Sequence, residues 1–112
     1  MVDRRFWVGD GRQADFEAVF GVGGIWEEFL RRANGYIYTD VESESQVGRR
    51  YRVRDLWRSH QEYELFREQY AAKYEKLNEL LVAEGLIERQ QLVGEYYVDD
   101  SSDGDDLVSA EG

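Results

Sequence analysis

Three kinds of side chain in this sequence could do chemistry: a carboxylate in a strand-like run, several large aromatic rings, and one histidine. The run is Tyr51-Arg-Val-Arg-Asp-Leu-Trp57. An indole at Trp57 can stack on a planar molecule and donate one hydrogen bond. A large aromatic is also an ordinary core residue, so packing is the competing reading. Strand alternation gives Trp57 the same face as Tyr51, Val53 and Asp55. If that face meets helices, Asp55 could accept a proton from a phenol. Pairing with a neighbouring Arg is the plainer role for the same carboxylate. His60 stands alone, and there is no Cys. A single His with no second His or Cys does not point to a metal site, and its place in the first turn of a helix points to the surface.

These residues need elements to hold them. Arg4 to Val8 reads as a strand ending at the turn Gly9-Asp10-Gly11. Asp10 or Gly11 would cap the following helix, with Gln13 in capping-box register to Asp10. Phe16, Val19 and Phe20, then Ile25, Trp26, Phe29 and Leu30, form a helical region broken at Gly21-Val-Gly-Gly24. Asn34-Gly35 would close it, with Gly35 in the left-handed conformation. Residues 36–42 and 50–57 read as strands joined by the polar stretch Ser43 to Arg49. On the first of them, Tyr36 and Tyr38 should share a face. Ser59 and Glu62 form a capping box that opens the longest helix, striped by Tyr63, Phe66, Tyr70, Tyr74, Leu77 and Leu81. That stripe turns Tyr70 and Tyr74 toward the sheet. Gly85 stops the helix, and a last strand within 87–98 centres on Leu92 to Tyr97.

The order β-α-β-β-α-β is the ferredoxin-like, split βαβ pattern: an α+β fold with an antiparallel sheet and two helical regions on one face. The other sheet face must be solvated or covered, and a symmetric homodimer is the commonest cover. The aromatic content of the strands favours a covered face.

Charge divides the chain at its end. Residues 99–112 hold six acids and no base, so the other 98 carry 18 acids against 14 bases, a net of −4. We read 1–98 as one domain and 99–112 as an acidic, disordered, solubilising tail. A mildly acidic body lacks the Lys and Arg clusters that grip phosphate backbones, so nucleic acid is not an expected partner. With no apolar run of signal or spanning length, the expected place is the cytoplasm, away from membranes. Gly21-Val-Gly-Gly24 lacks the preceding strand and spacing of a dinucleotide loop, and no Gly-x-Ser-x-Gly or His-Glu-x-x-His occurs.

Several motifs are similar to one family. Phe16-Glu-Ala-Val-Phe-Gly21, Gly24-Ile-Trp26 and Gly35-Tyr36 resemble the first half of a small monooxygenase barrel subunit. Tyr51 to Ser59 with Phe66-Arg and Tyr70 resembles the second half, and Leu92-Val-Gly94-Glu-Tyr96 the closing strand. Over residues 4–98 the chain thus resembles the antibiotic biosynthesis monooxygenase family of dimeric α+β barrels. The resemblance implies a homodimer through the sheet faces and a pocket between helices and sheet. It implies cofactor-independent oxygenation of a planar aromatic, with Trp57 and Asp55 at the chemistry and Trp26, Tyr38, Tyr51, Tyr70 and Tyr74 lining the pocket. The haem-degrading branch uses an Asn on the first strand and a His within the second helix, and neither is present. The polyketide-oxidising branch uses an Asn four residues before its Trp, where this chain has Val53. A non-catalytic dimeric binding module, and an isomerase or cyclase on the same barrel, are the alternatives.

Overall fold

In the computed structural model, residues 1–44 and 48–97 are described. The acidic stretch 99–112, and the middle of the loop between the second and third strands, lie outside them. The strands are β1 (Val2–Val8), β2 (Tyr36–Ser43), β3 (Arg50–Trp57) and β4 (Ile87–Glu95), with buried residues at every second position clearest in β1 and β3. Apolar residues at steps of three and four give helices α1 (Gln13–Phe20), α2 (Ile25–Leu30), α3 (His60–Gln69) and α4 (Ala71–Ala83).

The strands lie in the order β2-β3-β1-β4, each antiparallel to its neighbours. Two helical crossovers therefore each skip a strand, which is the ferredoxin-like arrangement that the element order anticipates. Val2, Phe6, Val8, Tyr51, Val53 and Trp57 from the sheet pack with Phe16, Phe20, Trp26, Phe29, Tyr63, Phe66 and Leu81 from the helices in one core. No helix among the described residues is long and apolar enough to cross a membrane.

Local details differ from the sequence reading at five places. Gly11 adopts φ +75° in the turn, which delays the helix, so Arg12 rather than Asp10 or Gly11 is the N-cap of α1. Arg12 sends its side chain to Asp15 at 2.8 Å and to the Glu84 carbonyl at 2.7 Å instead. Gly35 is not left-handed, and α2 already ends at Leu30. What Gly35 allows is close approach, since a Cβ there would sit 2.5 Å from the Glu62 Cβ. The long helix is two helices, because Tyr70 leaves helical geometry at φ −115°, ψ 25°. Around this break Tyr70 and Tyr74 both meet Phe29 and Phe66. The last strand ends at Glu95, so Tyr96 and Tyr97 fall beyond it.

The fifth difference reorients a candidate. A register shift between Tyr36 and Tyr38 sets Tyr36 opposite Trp57 but Tyr38 opposite Leu56. The bulge breaks the period-2 rule, so the two tyrosines face opposite sides of the sheet.

That second side of the sheet is ionic. Arg5 binds Glu44 at 2.6 Å, Arg52 binds Asp3 and, at 3.2 Å, Glu44, and Arg54 binds Asp40 at 3.3 Å and Glu42 at 3.0 Å. Hydrogen bonds from Arg5, then from Arg52, hold the Glu44 carboxyl down to about 2 despite its partial burial. Most aromatic residues of the strands turn to the helices instead. Trp7 stays on the ionic side beneath the Arg89 guanidinium, 4.4 Å from its ring.

Candidate functional site

Alternation on β1 places Arg4 in phase with Val2, Phe6 and Val8, and on β3 it places Asp55 in phase with Val53 and Trp57. Both charges are thereby driven into the layer between sheet and helices, Arg4 5% exposed and Asp55 2%. Arg4 lies opposite Val53 and Asp55 opposite Val2, so the two meet on the diagonal. The Arg4 Nη2 donates to Asp55 Oδ2 at 2.8 Å. Asp55 Oδ1 accepts from Trp26 Nε1 at 3.0 Å and from Thr39 Oγ1 at 2.6 Å. Tyr36 extends the chain through its hydroxyl, 2.7 Å from Thr39 Oγ1.

A buried charge needs this much company. Each ion taken out of water costs several kcal/mol, recovered only when the pair is close and its remaining hydrogen-bonding capacity is used. The Arg4 Nη1 donates to the Tyr74 hydroxyl at 2.8 Å, and its Cζ lies 4.8 Å from the Trp26 ring centroid. Two buried donors in the layer nonetheless have no partner among the described residues, Arg4 Nε and Trp57 Nε1.

Trp57 is 4% exposed and packed among Tyr36, Tyr63 and Phe66, with ring centroids 5.2–5.7 Å away. Tyr63 links it to a second cation. Arg67 Nη1 donates to the Tyr63 hydroxyl at 2.9 Å, and the Arg67 Cζ sits 4.3 Å from the Tyr74 ring centroid. Burial, then the neighbouring Tyr74, pushes the Tyr63 phenol up. A cleft of about 250 Å³ opens beside this layer, lined by Arg32, Gly35, Glu62, Leu65, Phe66 and Gln69 among others. Its wall residue Phe66 is one of the rings against Trp57.

The sequence candidates divide accordingly. Asp55, Trp26 and Tyr74 come together through Arg4, and Trp57 adjoins them through Tyr36. Tyr70 packs on Phe29 and Phe66 at the helix break. Tyr51 lies farther along β3, donating to Glu17 at 2.6 Å; burial, then Glu17, pushes its phenol up to about 12. Tyr38 is on the ionic side of the sheet, 52% exposed. The sequence reading missed Arg4, Tyr36, Thr39, Tyr63 and Arg67. A signal for the first was present: an Arg and an Asp, each in phase with the apolar residues of its strand, form a buried pair more cheaply than two lone charges.

His60 has more company than its isolation in the sequence implied. Its ring lies 4.9 Å from that of Tyr97 and its Nε2 is 3.0 Å from Glu64 Oε2; Glu95 completes a group whose ligand atoms lie within 4.8 Å of one another. Burial, then Glu95, pushes the Tyr97 phenol up. Such donors could hold a cation, but an i,i+4 contact accounts for His60 and Glu64, and we assign the group no role.

In comparisons with family models, curated proteins and solved structures, nothing matches this chain. The fold and the site therefore define a class by themselves: a ferredoxin-like α+β domain with an Arg–Asp pair buried in an aromatic layer. The function has to be argued from that layer.

Proposed function

We propose that this domain binds a planar aromatic molecule with an acidic hydroxyl or enol against Trp57, and oxidises it without a cofactor. The observation that carries the reading is the Trp57 indole N–H, buried and without a partner among the described residues. Leaving such a donor unmet costs about 1–3 kcal/mol, which a ligand oxygen accepting from it would recover. Phe66, packed on Trp57 and lining the neighbouring cleft, connects the layer to space that a planar molecule could enter. The resemblance to the monooxygenase family supports the chemistry. The deprotonated substrate would pass an electron to oxygen directly. At a ring CH2 group, one oxygen atom becomes the new carbonyl and the other leaves as water with the two hydrogens. Donors such as Trp57 Nε1 favour the anion from which that transfer starts. On this reading the protein works in the cytoplasm as a homodimer joined through the open sheet face.

Asp55 takes a different part from the one expected of it. Three donors already engage its oxygens, so it holds Arg4 and Trp26 in place rather than receiving the substrate proton. That structural engagement favours a second reading, a binding module without catalysis.

Oxygen uptake with a panel of anthrones and polycyclic hydroquinones separates the two, run beside equilibrium dialysis of the same compounds. Uptake that falls in a folded Trp57→Phe variant supports the oxygenase. Binding that weakens in that variant with no uptake supports the module. If no compound binds, the aromatic-ligand reading is wrong. Sedimentation equilibrium tests the homodimer, which a strictly monomeric protein would contradict.

A further inference from the structure

We infer that the ligand of this layer carries one negatively charged oxygen group and that Arg67 reads it. The inference rests on the aromatic-ligand reading and adds the charge class of the molecule.

It starts from the charges that the fold collects. Arg4 is neutralised by Asp55, 2.8 Å away. Arg67 is not neutralised in this way: among the described residues it pairs with no carboxylate, and its polar partner is the neutral Tyr63 hydroxyl. Most arginines of the chain have carboxylate partners, as Arg5, Arg12, Arg49, Arg52, Arg54 and Arg58 show, while Arg32 and Arg89, like Arg67, lie over rings instead. Arg67 also shares a tyrosine with the buried cation. The Tyr74 hydroxyl receives Arg4 and its ring carries Arg67. Two guanidinium groups around one phenol with a single carboxylate leave an excess of one positive charge at the edge of the layer, where Arg67 is exposed on α3.

A second observation points the same way. Arg4 Nε, in a residue 5% exposed, has no partner among the described residues. Tyr63 accepts from Arg67, which leaves its own hydrogen able to donate. The layer thus offers donors and no unengaged carboxylate, the complement of an anionic oxygen group on a flat ring. Arg67 supplies the charge, and its planar fork suits a carboxylate or a phenolate.

A matched pair of probes tests this: 9-anthracenecarboxylate and 9-anthracenecarboxamide, alike in shape and different in charge. Affinities would be measured by equilibrium dialysis with the full chain, and folding of each variant checked by far-ultraviolet circular dichroism. A charged pair at an exposed guanidinium is worth up to about 1 kcal/mol, so the carboxylate should bind up to roughly fivefold more tightly than the amide. Arg67→Met should weaken the carboxylate more than the amide and so abolish that preference, while Arg67→Lys should retain part of it. Added salt should weaken only the carboxylate. Equal binding of the two probes, or a preference that survives in folded Arg67→Met, overturns the role of Arg67 and leaves the aromatic-ligand reading standing. If neither probe binds the unaltered protein, the failure lies in that reading itself and takes this inference with it.

Discussion

Asp55→Asn is the most informative single change, because it keeps the shape of the side chain and removes its charge. In the folded protein Asp55 is 2% exposed and accepts from Arg4, Trp26 and Thr39. An Asn retains one acceptor oxygen and puts a donor NH2 where the other stood, facing a donor of Arg4 or of Trp26 and Thr39. Arg4, 5% exposed, is then left as a buried cation without its counter-ion. Removing one partner of such a pair costs about 3–5 kcal/mol. Against a total of roughly 5–15 kcal/mol for a domain, that is a large share. Urea denaturation followed by tryptophan fluorescence should show the loss as a lower midpoint at unchanged slope. A cycle sharpens the test. Arg4→Met alone should also be costly, but the double variant should lose less than the sum by about 2 kcal/mol, within the usual range for groups in contact. A loss under about 1 kcal/mol for Asp55→Asn, with additive singles, would refute the idea that this pair organises the layer.

Three further outcomes are expected. The Glu44 carboxyl is held at about 2 against an ordinary 4.5, so its stabilisation is complete above the ordinary value and is lost as pH falls toward 2. Glu44→Gln should therefore be less stable at neutral pH, with the difference from the parent shrinking through that acid window in denaturant titrations. Ser59→Ala removes the oxygen that accepts from the Glu62 backbone N–H at 3.2 Å, and should cost about 1 kcal/mol, a fall in Tm of roughly 4–8 °C by calorimetry. Gly24→Ala should cost clearly more than the ~1 kcal/mol typical of point changes, since its Cβ would meet the Ala18 and Val19 carbonyl oxygens at 2.3 Å. Near-parental urea stability of that variant would show that the turn into α2 can open.

What was legible in the sequence depended on how local the cause was. Strand alternation is set by neighbouring residues, so the set of β3 residues sharing a face with Trp57 could be read directly, though not that this face meets the helices. The Ser59 cap and the Gly85 stop are equally local, and both occur. The bulge that separates Tyr36 from Tyr38 is decided by pairing with β3, which no short window contains. The break at Tyr70 is likewise set by packing against Phe29 and Phe66, since the apolar stripe runs through it without interruption. Within the site, Asp55, Trp26 and Tyr74 were recognisable by type. Arg4 showed itself only through its phase with Val2, Phe6 and Val8, because the partner that makes its burial possible is 51 residues away. Arg67 was hidden for the opposite reason: it sits on the helix surface, and only its approach to the Tyr74 ring sets it apart.

The position of β1 has a consequence for how the chain acquires its structure. It is the first strand in the sequence, yet it lies inside the sheet, and its partners are the third and last strands. Only β2 and β3 can pair as a hairpin soon after they are made. During synthesis Phe6 can meet Phe16 and Phe20 of α1 early, but β1 has no strand partner until β3 arrives and remains half-paired until β4 follows. Closing such long loops late is slow. Until β3 and β4 are made, β1 shows unmet backbone hydrogen bonds, the kind of segment that chaperones hold and that aggregates when they do not.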